Sequence, residues 1–93
     1  SSEQSRDDQA LVLLVDAEGR FYIDNNEVLN PGVETLKDAI VRVAGDDRAR
    51  PVVLRADART QHQAVITAMD ALGQLGFDRL SLATMPSKAP EQR

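Results

Sequence analysis

The residues of this sequence that could do chemistry are few, and His62 with Asp57 is the pair closest to a catalytic arrangement. His62 is the only histidine of the chain, and Asp57 lies five residues before it. A histidine bonded to an aspartate can act as a general base, but it needs a nucleophile or a third ligand beside it. The neighbouring residues supply neither. We therefore expect His62 to be an exposed residue in the first turn of a helix.

Other kinds of chemical site have no better support. The five glycines are scattered and match neither GxGxxG nor GxxxxGK[ST], the patterns that bind phosphates. The chain has no cysteine, which excludes disulfides, thiolate metal sites and cysteine nucleophiles. The acidic pairs Asp7-Asp8 and Asp46-Asp47 supply too few ligands for a calcium loop. We therefore predict a protein that is not an enzyme and that has no metal and no cofactor.

The stretch VVLRADART, residues 52–60, leaves two interpretations open. Its apolar start predicts a buried strand, and its charged end could be that strand leaving the core for water. Alternatively, Arg55, Asp57 and Arg59, with His62 after them, form a docking lip for a partner beside a helix start. Here "docking lip" denotes these four residues.

Composition bounds the class of protein. Ninety-three residues make one domain. A net charge of −4 and only three aromatic residues argue against a nucleic-acid partner, which needs a basic face and stacking side chains. No apolar run approaches the ~20 residues of a membrane span, and no signal-peptide pattern opens the chain. We expect the sequence as given to be soluble.

The chain pattern predicts an α+β fold with the order ββαβαβ, in which two helices cover one face of a mixed β-sheet in two layers. The last two strands, joined through a helix, should run parallel. Residues 10–86 form the domain, between a flexible linker (1–9) and a flexible tail (87–93). The predicted elements are strands at 10–15, 20–23, 52–56 and 79–84, a brief strand at 27–29, and helices at 31–44 and from about 61 to 75.

Helix boundaries and buried faces are predicted from local signals. Asn30 is the expected N-cap of the first helix with Pro31 at its first position, and Thr60 with Gln63 fits a capping box for the second. Gly45 should end the first helix in a left-handed turn, and Gly76 should end the second helix. The spacing of three and four predicts buried faces made of Val33, Leu36, Ile40 and Val43 in the first helix, and of Val65, Met69 and Leu72, flanked by Ile66, Ala68 and Leu75, in the second.

The last strand carries the most informative pattern. Leu80, Leu82 and Thr84 form one alternating set, and Ser81 and Ala83 form the other. Neither proline nor lysine protects residues 80–85, so at the edge of a sheet this strand could pair with a second copy or capture an extended peptide. The alternatives are that the strand is central, or that the tail covers its edge.

Three segments in this order resemble the periplasmic domain of the ExbD/TolR family: VVLRADART, the helix AVITAMDALGQLGF, and DRLSLATMP. The hairpin from Asp16 to Asp24 fits the family pattern D-x-x-G-x-[FY]-[YI]-[IV]-[DN]. The resemblance covers residues 10–86. The R-A-D motif, Arg55 to Asp57, favours ExbD over TolR. The chain departs from the family at His62, where members often have a tyrosine.

The resemblance implies a homodimeric part of a proton-driven energy transducer, held in the Gram-negative inner membrane by one transmembrane helix and facing the periplasm. That helix, absent from this sequence, would lie in an ExbB/TolQ-like partner. The domain would contact a TonB-like protein or, in TolR-type members, TolA and peptidoglycan. The family implies that Asp16, Asp24 and Asp57 are turn residues and not proton carriers.

Two other classes remain open from the residues alone. A regulatory domain that binds a small molecule would also combine a ββαβαβ order with a dimer and no catalytic residues. A small hydrolase would depend on His62.

Overall fold

The computed structural model describes residues 10–29 and 32–85. The predicted linker at 1–9 and tail at 87–93, together with Asn30 and Pro31, lie outside the described residues. The elements are β1 (Leu11–Val15), β2 (Phe21–Ile23), β3 (Asn26–Val28), α1 (Val33–Ala44), β4 (Val52–Asp57), α2 (His62–Leu75) and β5 (Leu80–Met85).

Within the described residues, the strands form one mixed sheet in the order β3-β2-β1-β4-β5. The pairs β1/β2 and β2/β3 are antiparallel, whereas β1/β4 and β4/β5 are parallel. The predicted α+β class, the mixed sheet and the parallel last pair are confirmed. The brief return predicted at 27–29 is the edge strand β3, so the sheet has five strands.

The core lies between one face of the sheet and the two helices. Because side chains alternate across a strand, only every second residue of β1, β2 and β4 is buried. Burying a large apolar side chain contributes about 1.5–3 kcal/mol to the free energy of folding, so these buried strand residues are a main source of the domain's stability. The buried strand residues are Leu11, Leu13, Val15, Phe21, Ile23, Val52, Leu54 and Ala56, and they form one cluster with residues of both helices.

The buried faces of the helices differ from the predicted ones. In α1 the core residues are Leu36, Ile40 and Ala44, while Val43 is 39% exposed. In α2 they are Ala68, Ala71 and Leu72, whereas Ile66 and Met69 are 44% and 39% exposed. The prediction for Val43, Ile66 and Met69 was wrong. Two of the three buried residues of α2 are alanines, so the apolar stripe read from the larger side chains alone was centred on the wrong side of the helix.

The predicted helix starts are also corrected. The N-cap of α1 is Gly32 and that of α2 is Gln61, and at neither helix start does an N-cap side chain make a capping hydrogen bond. The capping box of Thr60 and Gln63 is therefore wrong: the hydroxyl of Thr60 is buried without a hydrogen-bond partner. The backbone N–H of Thr60 instead donates to the carbonyl of Asp57, which closes the turn after β4.

The helix ends agree with the sequence. Gly45 and Gly76 have φ angles of 64° and 90°, in the region that glycine adopts without steric cost. Arg48 connects these two ends, because its Nε donates to the carbonyl of Leu75 and its guanidinium donates to the carbonyl of Gly45. Its guanidinium also lies 5.1 Å from the ring centre of Phe77.

Candidate functional site

The free edge of β5 is the first feature of the candidate site. The strand order places β5 at the end of the sheet, so the alternative of a central strand is excluded. Whether the tail covers this edge concerns residues outside the described ones. An edge strand offers unpaired backbone groups to a further strand.

The hydrogen bonds of β4 identify which backbone groups of β5 face outward. The N–H of Val52 donates to the carbonyl of Arg79, and the N–H of Ala58 donates to the carbonyl of Met85. Backbone groups of alternate residues point to opposite sides of a strand, so Arg79, Ser81, Ala83 and Met85 face β4. The N–H and C=O groups of Leu80, Leu82 and Thr84 therefore point away from the sheet.

The side chains of β5 are open to solvent in the middle of the strand. Residues 81–84 are exposed, and Leu80 and Met85 are half-buried. Leu82 is on the helix-covered face by its register with the buried Leu54, yet it is 58% exposed. The helices therefore do not extend over the outer half of this strand.

A second exposed apolar residue, Met69 of α2, is on the same side of the domain as Leu82. Gln74 of α2 accepts a hydrogen bond from Lys37 of α1, so Gln74 marks the flank of α2 that faces α1. Ile66 lies only about 80° around the helix from Gln74, on the outer surface of α2, whereas Met69 lies about 140° from Gln74, on the opposite flank. Because α1 packs over β2 and β3, this flank of α2 faces the β5 edge. Leu82 and Met69 are called the edge patch below.

The docking lip residues lie next to this edge. Arg55 is exposed on the face of the sheet that no helix covers, called the open face, and its register partner on β5 is Ala83. Asp57 pairs in register with Met85. Arg59 and His62 are exposed in the turn and at the first position of α2. The structure thus places all four residues at the β4–β5 side of the domain.

Asp57 has a structural role in this turn. Its Oδ1 accepts a hydrogen bond of 2.8 Å from the backbone N–H of Arg59, which fixes the chain as it leaves β4. No hydrogen bond joins Asp57 to His62 in the described part of the chain. The pair therefore lacks the arrangement of a general base.

A second polar cluster lies in the β1–β2 hairpin. Asp16 Oδ2 accepts hydrogen bonds from Nε of Arg20 (2.8 Å) and from the hydroxyl of Tyr22 (3.0 Å), while Oδ1 accepts from the backbone N–H groups of Glu18 and Arg20. Desolvation alone would raise the pKa of Asp16, but the hydrogen bonds from Arg20 and Tyr22 outweigh it and lower the pKa. The hydrogen bond to Asp16 raises the pKa of Tyr22. The carboxylate of Asp16 therefore accepts four hydrogen bonds within this turn and stabilises the hairpin.

A groove between β3 and α1 was not foreseen from the sequence. Its volume is about 420 Å³, and its walls include Val28, Leu29, Ala39, Arg42 and Val43. Leu29 is 86% exposed there. Val43 was assigned to the core because its spacing fits the apolar stripe, and periodicity alone does not show where a sheet ends.

Two further properties concern residues 10–29 and 32–85. No helix there is long and apolar enough to cross a membrane. No group of three or more histidine, cysteine, aspartate or glutamate side chains there could hold a metal ion. The edge of β5, with the edge patch and the docking lip, is the candidate functional site, because it offers outward-facing backbone groups beside exposed apolar and charged side chains.

Comparison with known proteins identifies the family of the chain. The family model described as "Biopolymer transport protein ExbD/TolR" matches residues 1–87. No curated protein matches the chain.

Proposed function

The chain belongs to the ExbD/TolR family of biopolymer transport proteins, and on that premise we propose that it is the non-catalytic periplasmic adaptor of an ExbB-ExbD-TonB type complex. In this proposal it couples the proton motive force of the inner membrane to transport across the outer membrane. It does so by binding a TonB-like protein. The function is transmission of motion through a protein contact, and it requires no reacting group on this domain.

The observation that carries the proposal is the free edge of β5. Leu80, Leu82 and Thr84 direct their backbone groups away from β4, and Leu82 adds an exposed apolar side chain. A strand added here would gain main-chain hydrogen bonds from the edge and side-chain specificity from its surroundings. An adaptor that binds an extended segment of a partner needs an edge strand with outward-facing backbone groups.

The other parts of the proposed complex follow from the family. The domain works as a homodimer, and a transmembrane helix on its amino-terminal side contacts an ExbB/TolQ-like protein in the inner membrane. The domain itself is in the periplasm of a Gram-negative bacterium. The proposal assigns no role in proton transfer to Asp16, because its carboxylate is occupied by four hydrogen bonds.

An amide NMR titration with the extended periplasmic segment of a TonB-type protein tests the proposal. We expect shifts concentrated at residues 80–85 and, more weakly, at 55–62. Leu82→Lys serves as the blocked variant, because a charged side chain on an edge strand prevents pairing. Val43→Lys is the matched control, since Val43 is similarly exposed but lies in the groove on the far side of the domain. Shifts confined to the groove would contradict the proposal.

The family description names TolR beside ExbD, so a TolR-type role is the second candidate. In that case the domain binds peptidoglycan and a TolA-like protein and contributes to envelope integrity. Co-sedimentation with purified sacculi distinguishes the two candidates. Binding to sacculi without any shift from the TonB-type segment would favour the TolR-type role.

A further inference from the structure

The surroundings of the β5 edge differ on its two sides, and this asymmetry specifies the sequence pattern of the partner. Building on the proposed function, we propose that the strand that binds β5 alternates apolar residues, which face α2, with acidic residues, one of which lies beside Ala83 and pairs with Arg55.

The apolar half of the pattern follows from the edge patch. An added strand lies about 4.8 Å from β5, and a residue directly opposite Leu82 has its side chain on the same face as Leu82. That face is bordered by Met69 on the outer flank of α2, and the side chains of Leu82 and Met69 are both substantially exposed. An apolar side chain of the partner would remove them from water together.

The acidic residues of the proposed partner pattern follow from the positions of Arg55 and Ala83 on the open face of the sheet. Leu14 of β1, Arg55 of β4 and Ala83 of β5 lie side by side in one row across the sheet. A partner residue opposite Ala83 would be the next member of that row, about 10 Å from Arg55 between backbones. Because Ala83 is small, a long carboxylate side chain and the guanidinium of Arg55 can meet above it.

Arg55 has no carboxylate partner among the described residues. Asp57 is on the same strand, but its Oδ1 accepts the backbone N–H of Arg59, and no ion pair joins Asp57 to Arg55. Glu27 is in the same row through Tyr22 and Leu14, three strands from Arg55 and therefore about 14 Å away. The positive charge at the edge of the open face is thus available to a partner.

The same row argues for a partner other than a second copy of β5. The strand Leu80–Met85 has the sequence LSLATM and contains no acidic residue. Two copies paired through this strand would place two uncompensated Arg55 side chains on one continuous face. A peptide with acidic residues at alternate positions would neutralise them, so the observed charges favour a different protein chain.

Four synthetic peptides test the pattern on the whole domain. Three of them alternate valine with glutamate, with serine or with lysine, and the fourth contains the valines and glutamates in two separate blocks. Affinities are measured by fluorescence anisotropy, and the site is verified by amide NMR. The chain has a net charge of −4, so general attraction favours the lysine peptide. A preference for glutamate must therefore come from the local surroundings.

We expect the valine–glutamate peptide to bind about two- to fivefold more tightly than the valine–serine peptide, the range that exposed ion pairs give. The lysine peptide should bind most weakly. The peptide with separate valine and glutamate blocks should also lose affinity, because as an extended strand it cannot place all its valines on one face and all its glutamates on the other. The glutamate preference should fall in high salt, because ions screen exposed charges. Arg55→Glu should reverse the order of the glutamate and lysine peptides.

Arg42→Glu is the matched control, because Arg42 is an exposed arginine of α1 beside the groove on the opposite side. It changes the net charge equally and should leave the order of the peptides unchanged. Equal affinity for the glutamate and lysine peptides, or an unchanged order in Arg55→Glu, would overturn the inference. If the TonB-type segment still shifts residues 80–85, only the pattern is wrong. If neither that segment nor any peptide shifts β5, the proposed function fails as well.

Discussion

Leu54 and Leu82 are register partners on the same face of the sheet, yet Leu54 is 1% exposed and Leu82 is 58% exposed. The two residues belong to adjacent parallel strands, so the helix layer ends between them. This relationship separates the interior of the domain from the β5 edge of the sheet. It also means that equal substitutions at the two positions should affect different properties.

We expect Leu82→Ala to leave stability nearly unchanged and to weaken binding of the TonB-type segment. Leu54→Ala should destabilise the domain by about 2–5 kcal/mol, because it removes buried contacts and leaves a cavity. Urea unfolding and the NMR titration measure the two properties. A large loss of stability in Leu82→Ala would show that its side chain is covered in solution.

Proline substitutions distinguish the outward from the inward backbone groups of β5. Thr84→Pro removes an N–H that points away from the sheet, which an edge strand tolerates. Ala83→Pro removes an N–H that points toward β4 and should destabilise the domain by about 3 kcal/mol or more, a cost typical of proline inside regular structure. Thr84→Pro should fold, by circular dichroism and urea unfolding, but bind the partner segment weakly. Equal losses of stability in the two variants would contradict the assigned backbone direction.

Two glycines near the end of α2 should respond to alanine in opposite directions. Gly73 is inside α2 with open space around the position of an added Cβ, so Gly73→Ala should stabilise the domain by about 0.5–1 kcal/mol. Gly76 has a φ of 90°, so Gly76→Ala should destabilise it by about 1 kcal/mol or more. Thermal unfolding of the two variants checks both signs. A stabilising Gly76→Ala would mean that the helix ends differently.

Removal of Arg48 should loosen the carboxyl-terminal ends of both helices. Its guanidinium holds the carbonyls of Leu75 and Gly45 and lies against the ring of Phe77. We expect Arg48→Ala to cost about 1–3 kcal/mol of unfolding free energy, the size of a charge-assisted hydrogen bond with a cation–π contact. Arg55→Ala, at an exposed arginine, should cost little in the same urea experiment. A cost shared equally by both variants would refute this role of Arg48.

The hairpin aspartate should contribute to acid denaturation. The folded domain lowers the pKa of Asp16 below the value of about 3.9 that an unfolded chain gives. Its stabilising contribution is therefore fully present above that value and is lost as the pH falls through the lower, folded pKa. Asp16→Asn should make stability less dependent on pH in this acidic range, by urea unfolding at a series of pH values. Asp46→Asn removes the same charge at an exposed position and is the control, which should leave the pH dependence of stability unchanged. If Asp46→Asn flattens that dependence equally, the effect is not specific to Asp16.

The sequence predicted the parts of the fold that local patterns encode. Apolar runs identified β1 and β4, and Gly45 and Gly76 identified the helix ends. Met69 and Val43 were misassigned because periodicity counts an apolar residue as buried wherever it falls on the stripe. Their exposure depends on where the sheet ends beneath each helix, which is a property of strand order.

The same limit applies to the candidate site. The alternation in residues 80–84 predicted a strand that could accept a partner, but only the strand order shows that β5 is at an edge. The position of Arg55 beside Ala83 depends on register between two strands separated by a helix. The groove between β3 and α1 depends on the packing of distant segments, and no local pattern indicates it.

Amide hydrogen exchange along β5 tests the central claim most directly. In the free domain, the N–H groups of Ser81 and Ala83 should be protected by β4, while those of Leu82 and Thr84 should exchange quickly. Addition of the TonB-type segment should protect Leu82 and Thr84 and leave the groove residues unchanged. Protection of Leu82 and Thr84 before the segment is added, or protection that appears elsewhere on the domain, would contradict binding at the edge of β5.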